Sequence, residues 1–207
     1  MGVALVIVAF VMATTAPSDL VDMNGNSVAL EPGTTPSPEA LSKMAVQEDT
    51  GERFRVPSAG LDVPLDSMNA VDSVITPPGF TAAYRVRNLG VSLDHAAEGT
   101  VYVAMHSLRD GAVGPGNYLI DVEAGTAAVA VGTEIIVAGL DYRLTGSQKI
   151  AKERLPAAEA VWADVPGRLV VITCLQRPGG GPSLENVVLT AELATPTPTA
   201  SPSDPQG

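Results

Sequence analysis

Residues 168–174 read RLVVITC, and residues 100–106 read TVYVAMH. Both are short apolar runs rich in β-branched residues. Neither alternates apolar with polar, which is the pattern of strands buried on both faces. Working outward, residues 54–56 and 61–64 are strand-like segments flanking a Pro-Ser-Ala-Gly turn. Residues 118–122, 127–131, 134–138 and 142–147 follow at short intervals with glycine-containing turns between them, and 186–193 (NVVLTAEL) reads as a last strand. Residues 155–161 suit one helical turn. About eight short strands at this spacing predict a mainly all-β domain, either a closed barrel or a sandwich.

Composition narrows the function classes. The chain has 207 residues, enough for one domain with tails, and 45% of them are hydrophobic, enough for a sizeable core. The 20 Gly and 17 Pro fit many turns. With 12 Lys and Arg against 23 Asp and Glu, the formal charge is −11. Nucleic acid is excluded as a partner, because phosphate neutralisation needs clustered cations. A single cysteine builds neither a disulfide framework nor a cysteine zinc site. No acidic cluster has calcium-ligand spacing, so neither metal nor cofactor is expected.

The chain divides into four parts. Residues 3–13 (VALVIVAFVMA) are apolar without interruption, and no charge precedes Asp19. Residues 1–18 therefore read as a hydrophobic signal or anchor segment, although the run is short for a membrane span and lacks a Lys/Arg flank. Residues 19–50, rich in Pro, Ser, Thr, Gly and Asn, read as a flexible linker with a short helix near residues 37–47, started by Ser-Pro-Glu. Residues 51–194 form the folded domain, and the Pro/Thr/Ser tail at 195–207 is expected to be disordered.

Two residues stand out chemically. Cys174 closes the RLVVITC run where a loop, LQRPGGGPSLE, begins. A nucleophile at the junction of a rigid strand and a loop is both positioned and exposed. A lone cysteine is more commonly a small core residue, but a free thiol is unexpected in an exported chain. His106 ends its own strand in the same way, before a Gly/Pro-rich loop. His95 lies in the polar stretch SLDHAAEG and reads as a surface residue. Cys174 and His106 together suit a thiol nucleophile and its acid/base partner.

These segments resemble the sortase family of cysteine transpeptidases. GTVYVAMHS (99–107) is similar to the strand that delivers the family's histidine, and LVVITC (169–174) to its TLxTC signature. His106 precedes Cys174 by 68 positions, in the family order. The stretch RVPSAGLDVPL (55–65) resembles the opening strands of actinobacterial sortases, and the nearest type is the class E/F group. The resemblance covers residues 53–193 and implies a closed sortase-like β-barrel of about eight strands with short helices.

It also implies a function. Cys174 would attack the Thr–Gly carbonyl of an LPxTG-like sorting signal, and His106 would protonate the leaving amine. Thr173 would shape the substrate pocket through its hydroxyl. The implied partners are proteins with a C-terminal sorting signal, an amine acceptor of cell wall or pilin, and the membrane through the N-terminal segment. The implied location is the extracellular face of the cell membrane. The family's third residue is an arginine at the last strand, whereas the matching position here holds Leu184, a departure from the pattern. Arg177, the one Arg or Lys after Cys174, is the remaining candidate for binding the substrate or the oxyanion. Two other readings compete: an exported β-rich interaction domain with Cys174 in its core, and a sortase-like fold without activity. A papain-type hydrolase is disfavoured because it places Cys before His.

Overall fold

A computed structural model of the chain describes residues 20–28, 37–48 and 50–194; the apolar stretch at 1–18 and the tail at 195–207 lie outside the described residues. The elements in chain order are α1 (Pro38–Met44), β1 (Arg53–Val56), β2 (Leu61–Met68), β3 (Ala83–Val86), β4 (Thr100–Ala104), β5 (Ile120–Asp121), β6 (Thr126–Ala127), β7 (Glu134–Val137), β8 (Leu140–Ala151), α2 (Glu159–Trp162), β9 (Arg168–Leu175) and β10 (Glu185–Leu193). Eight strands close into a barrel in the order β1-β2-β3-β4-β9-β10-β8-β7, and β5 and β6 form a separate pair. The barrel shuts where Phe54 faces Val137 and Arg55 faces Ile136. The fold is thus the closed barrel that the resemblance implied, not the sandwich.

Most pairings are antiparallel, but β4 runs parallel to β9 and β2 parallel to β3. The chain between β4 and β9 has to cross over, and it carries β5 to β8 and α2 on the way. This crossing explains the two doubly apolar runs. One face of β4 and β9 points into the barrel, where Val101, Val103, Leu169 and Val171 join a core with Phe54 and Leu189. The other face bears Tyr102, Ala104, Val170 and Ile172, which pack with Val188 and Val161 in a second apolar layer under the α2 segment. Alternating residues therefore meet two different dry environments, and polar positions are lost from both.

The stretch read as linker contains two pieces docked on the barrel. Ser37 caps α1 by accepting the Ala40 N–H (3.1 Å), and Met44 at its end is buried. The Gln47 and Ser67 backbones exchange hydrogen bonds of 2.8 and 2.9 Å. Asp22, also buried, accepts the N–H groups of Asn24 and Asn26 at one carboxylate oxygen and that of Val113 at the other. Composition hides such anchoring, which rests on one aspartate and one methionine.

Arg168, at the start of β9, holds the outer wall in place. Its buried guanidinium donates to the Thr100 hydroxyl (3.1 Å), to the carbonyls of Ala160 (2.8 Å) and Val161 (3.1 Å), and to that of Ala163. Those carbonyls end a helix of four residues, whose C-terminal acceptors have no intrahelical donors. A planar fork satisfies several at once, which an ammonium cannot do. Replacing Arg168 with Ala removes its bonds to Thr100 and the α2 segment, leaving the Val161 and Ala163 carbonyls to the Tyr102 and Thr100 hydroxyls. Chemical denaturation is expected to show about 2–4 kcal/mol less stability, with Arg168→Lys recovering only part of the loss.

Candidate active site

The site begins with strand register. Along the parallel β4–β9 pair, Thr100 faces Arg168 and Ala104 faces Ile172. The ladder continues past β4, since Met105 N–H donates to Ile172 C=O at 3.1 Å. Two residues further on, His106 and Cys174 have the same parity, and both line one cleft. The Ser107 hydroxyl ties the loop down by donating to the Cys174 carbonyl (2.5 Å), and the Gln176 amide donates to the Ser107 carbonyl (2.8 Å) and hydroxyl (3.0 Å). On the other side of β9, Asn186 of β10 faces Cys174 directly. All three continue the outer face that carries Ala104, Ile172 and Val188. Three neighbouring strands, spaced by about 4.8 Å, thus present His106, Cys174 and Asn186 in one row.

The row opens into a cleft of about 1670 Å³ that is lined by all three residues. Val71 and Ile75 of the β2–β3 connection form one side, and Leu155 and Trp162 of the wall held by Arg168 form another. The Cys174 thiol is free, and the residue is half-buried.

His106 is held at its far nitrogen. Nε2 lies 2.8 Å from the Pro77 carbonyl, and because a carbonyl only accepts, Nε2 carries the proton. In the neutral ring Nδ1 is then the lone-pair nitrogen. Phe80 meets the imidazole edge-on, with centroids 4.9 Å apart and planes at 72°. Burial pushes the His106 pKa below its ordinary value; the Pro77 bond opposes this, and the Lys152 ammonium works with burial. Neutral imidazole is favoured, so the ring is poised to take a proton.

The sequence-derived candidates separate. Cys174 and His106 line the same cleft. His95 is exposed and bridges to Glu98 at 3.1 Å, away from the cleft. Thr173 is among the residues that line the cleft, with its hydroxyl buried and without a hydrogen-bond partner. It has the inward parity of Val171 and Leu175, is 2% exposed, and packs on Gly116, where an added Cβ would lie 1.9 Å from Oγ1. Thr173 therefore supports the His106 loop from inside the barrel, since Gly116 N–H also donates to the His106 carbonyl (2.8 Å). Arg177 is not brought into the cleft. It lies past the end of β9, exposed, in a neighbouring groove with Lys149 and Glu185. Leu184 is 61% exposed and precedes β10, so it does not occupy the place beside the nucleophile. That place belongs to Asn186, which the sequence reading did not single out. The pairing register marks it, and spacing from Cys174 alone does not.

No family model and no curated relative matches the sequence. A closed barrel of this kind does have solved counterparts. The structure is similar to that of sortase A from Corynebacterium diphtheriae, a lid mutant, with TM-score 0.50 and 13% identity over 71% of this chain and 71% of that one. It is also similar to Listeria monocytogenes sortase A (TM-score 0.48, 20% identity, 70% of this chain and 86% of that one). Sortase C-1 from Actinomyces oris aligns over 88% of this chain and 90% of its own, with TM-score 0.49 and 15% identity. At these identities the likeness is one of architecture: the chain has a sortase fold.

The lowered His106 pKa has a consequence for stability. The unfolded chain binds this proton more readily than the folded one. His106 carries no penalty above its ordinary pKa of about 6.5, and it costs stability progressively as pH falls below that value. Between about pH 7 and pH 5, wild type is expected to lose more unfolding free energy than His106→Asn, measured by denaturant titration at each pH. Parallel losses in the two proteins would contradict the buried environment of the ring.

Proposed function

We propose that the protein is a sortase-type cysteine transpeptidase acting on an LPxTG-like sorting signal. The observation that supports this reading is that His106, just past the end of β4, and Cys174, near the end of its parallel partner β9, line one cleft. His106 takes the thiol proton at Nδ1, and Cys174 Sγ adds to the Thr carbonyl carbon. Collapse of the adduct breaks the Thr–Gly C–N bond, and the proton passes from His106 to the departing glycine amine. An acceptor amine then attacks the thioester and delivers a proton through His106, which restores the thiol and leaves a new amide. No electrons are exchanged.

The substrates are proteins with a C-terminal sorting signal, and the acceptor is an amine of cell wall or pilin. Residues 1–18 serve as the membrane or export segment, which places the domain on the extracellular face. The likeness of residues 55–65 to the opening strands of actinobacterial sortases, and of GTVYVAMHS to the family's histidine strand, supports this setting.

A labelled LPxTG-like peptide with triglycine as acceptor tests the reading. Wild type is expected to form an acyl-enzyme on Cys174, visible by intact mass, and then the ligated product. Cys174→Ala abolishes both, His106→Ala lowers turnover by about 10²–10⁴-fold, and His95→Ala leaves it intact. Peptide cleavage that survives in Cys174→Ala removes the reading.

A further inference from the structure

Attack by a thiol on an amide carbonyl puts negative charge on the carbonyl oxygen, which needs a hydrogen-bond donor set in advance. The charged candidate in the sequence, Arg177, lies outside the cleft. Resting on the transpeptidase reading above, we propose that the side-chain amide of Asn186 is that donor, with Nδ2–H bonding the substrate carbonyl oxygen as Cys174 attacks it.

Three observations converge on Asn186. First, it faces Cys174 across the β9–β10 ladder, so the two residues are neighbours on one face. Directly opposed residues have Cβ atoms about 4.5–5.5 Å apart, leaving room for a carbonyl oxygen between the side chains. Second, Asn186 is only 7% exposed, yet no side-chain hydrogen bond joins it to any described residue. The amide atoms are not fully enclosed, so they meet the solvent of the cleft, where a substrate oxygen can take the place of water. Third, the residue lines the cleft, so its open hydrogen-bonding capacity faces the space a substrate fills. His106 flanks Cys174 from the β4 side and Asn186 from the β10 side. A bound carbonyl carbon over Sγ would have the proton carrier on one hand and the oxygen's donor on the other.

The donor is neutral. Its contribution comes from a fixed dipole and weakens little with salt, unlike a cation at the same place. An aspartate would be wrong for the task, because a carboxylate only accepts and adds like charge beside the oxyanion.

The test uses the full chain, the LPxTG-like peptide and triglycine, with Asn186→Ala and Asn186→Asp compared with wild type. Iodoacetamide alkylation of Cys174 serves as a readout independent of turnover. For Asn186→Ala, kcat and kcat/KM are expected to fall together by about 10²-fold, with the alkylation rate unchanged. Asn186→Asp is expected to fall further at neutral pH and to regain activity relative to wild type at the same acidic pH, as its carboxyl gains a proton that it can donate. Wild-type turnover in Asn186→Ala, with Cys174→Ala inactive, overturns the role of Asn186 and leaves the transpeptidase reading standing. Loss of turnover together with loss of alkylation in both variants, without recovery in acid, makes Asn186 a structural residue and likewise overturns the proposal. A wild type whose Cys174 alkylates but never forms an acyl-enzyme overturns the reading and the inference with it.

Discussion

The parallel pairing of β4 with β9 is the constraint on which the rest of the molecule depends. A one-residue slip would turn every side chain on one strand to its opposite face. Here that error would be costly twice, because both faces are dry. Val101 and Val103 would leave the barrel core, and Tyr102 and Ala104 would leave the layer beneath α2. Two apolar layers therefore lock a single register. That register carries His106 to Cys174 at the point where the strands run out of apolar residues. The candidate site sits at the end of these paired strands, with its geometry set by hydrophobic burial further down them.

Polar groups finish what burial begins. The Ser107 hydroxyl on the Cys174 carbonyl and the Gln176 amide on Ser107 extend the contact between the two segments beyond the end of β4. Gly116 lets the following turn approach the His106 carbonyl and Thr173 closely, and any side chain at that position would push the histidine loop away from the barrel. At the other end of β9, Arg168 gathers the loose carbonyls of the α2 segment and so fixes the wall that bears Leu155 and Trp162. One strand thus carries Cys174 near its C-terminal end and the support for the cleft wall at its N-terminal end.

The fold was legible where burial was strong. The doubly apolar runs at 100–106 and 168–174 mark β4 and β9, and the NVVLTAEL stretch marks β10. β3 escaped because four residues, Ala83–Val86, show no alternation. β8 proved much longer than residues 142–147, since its far half is mostly polar, with Ser147, Gln148 and Lys149 in solvent. Residues 118–122 and 127–131 yielded only the two-residue strands β5 and β6, because the 3-10 turn Pro115–Leu119 takes up the start of the first segment. In the site, Cys174 and His106 were readable as strand-end residues. That the Thr173 side chain has inward parity was not legible, because a run apolar on both faces does not show which way each residue points. Leu184 stood in for Asn186 because the β9–β10 register depends on a loop with left-handed Gly180 and Gly181, and a count of residues does not contain that geometry.

The central claim is the adjacency of His106 and Cys174 across the β4–β9 ladder, and a disulfide measures it directly. Bridging demands Cα atoms about 4.4–6.8 Å apart, a range that neighbouring strands meet and that most residue pairs do not. In His106→Cys, mild oxidation is predicted to join the new thiol to Cys174 within one molecule, seen as the loss of two hydrogens in the intact mass and of both alkylation sites. His95→Cys, far from the row, should keep two free thiols under the same treatment. If His106→Cys retains both thiols, or forms only dimers, the register drawn here is wrong and the site built on it falls.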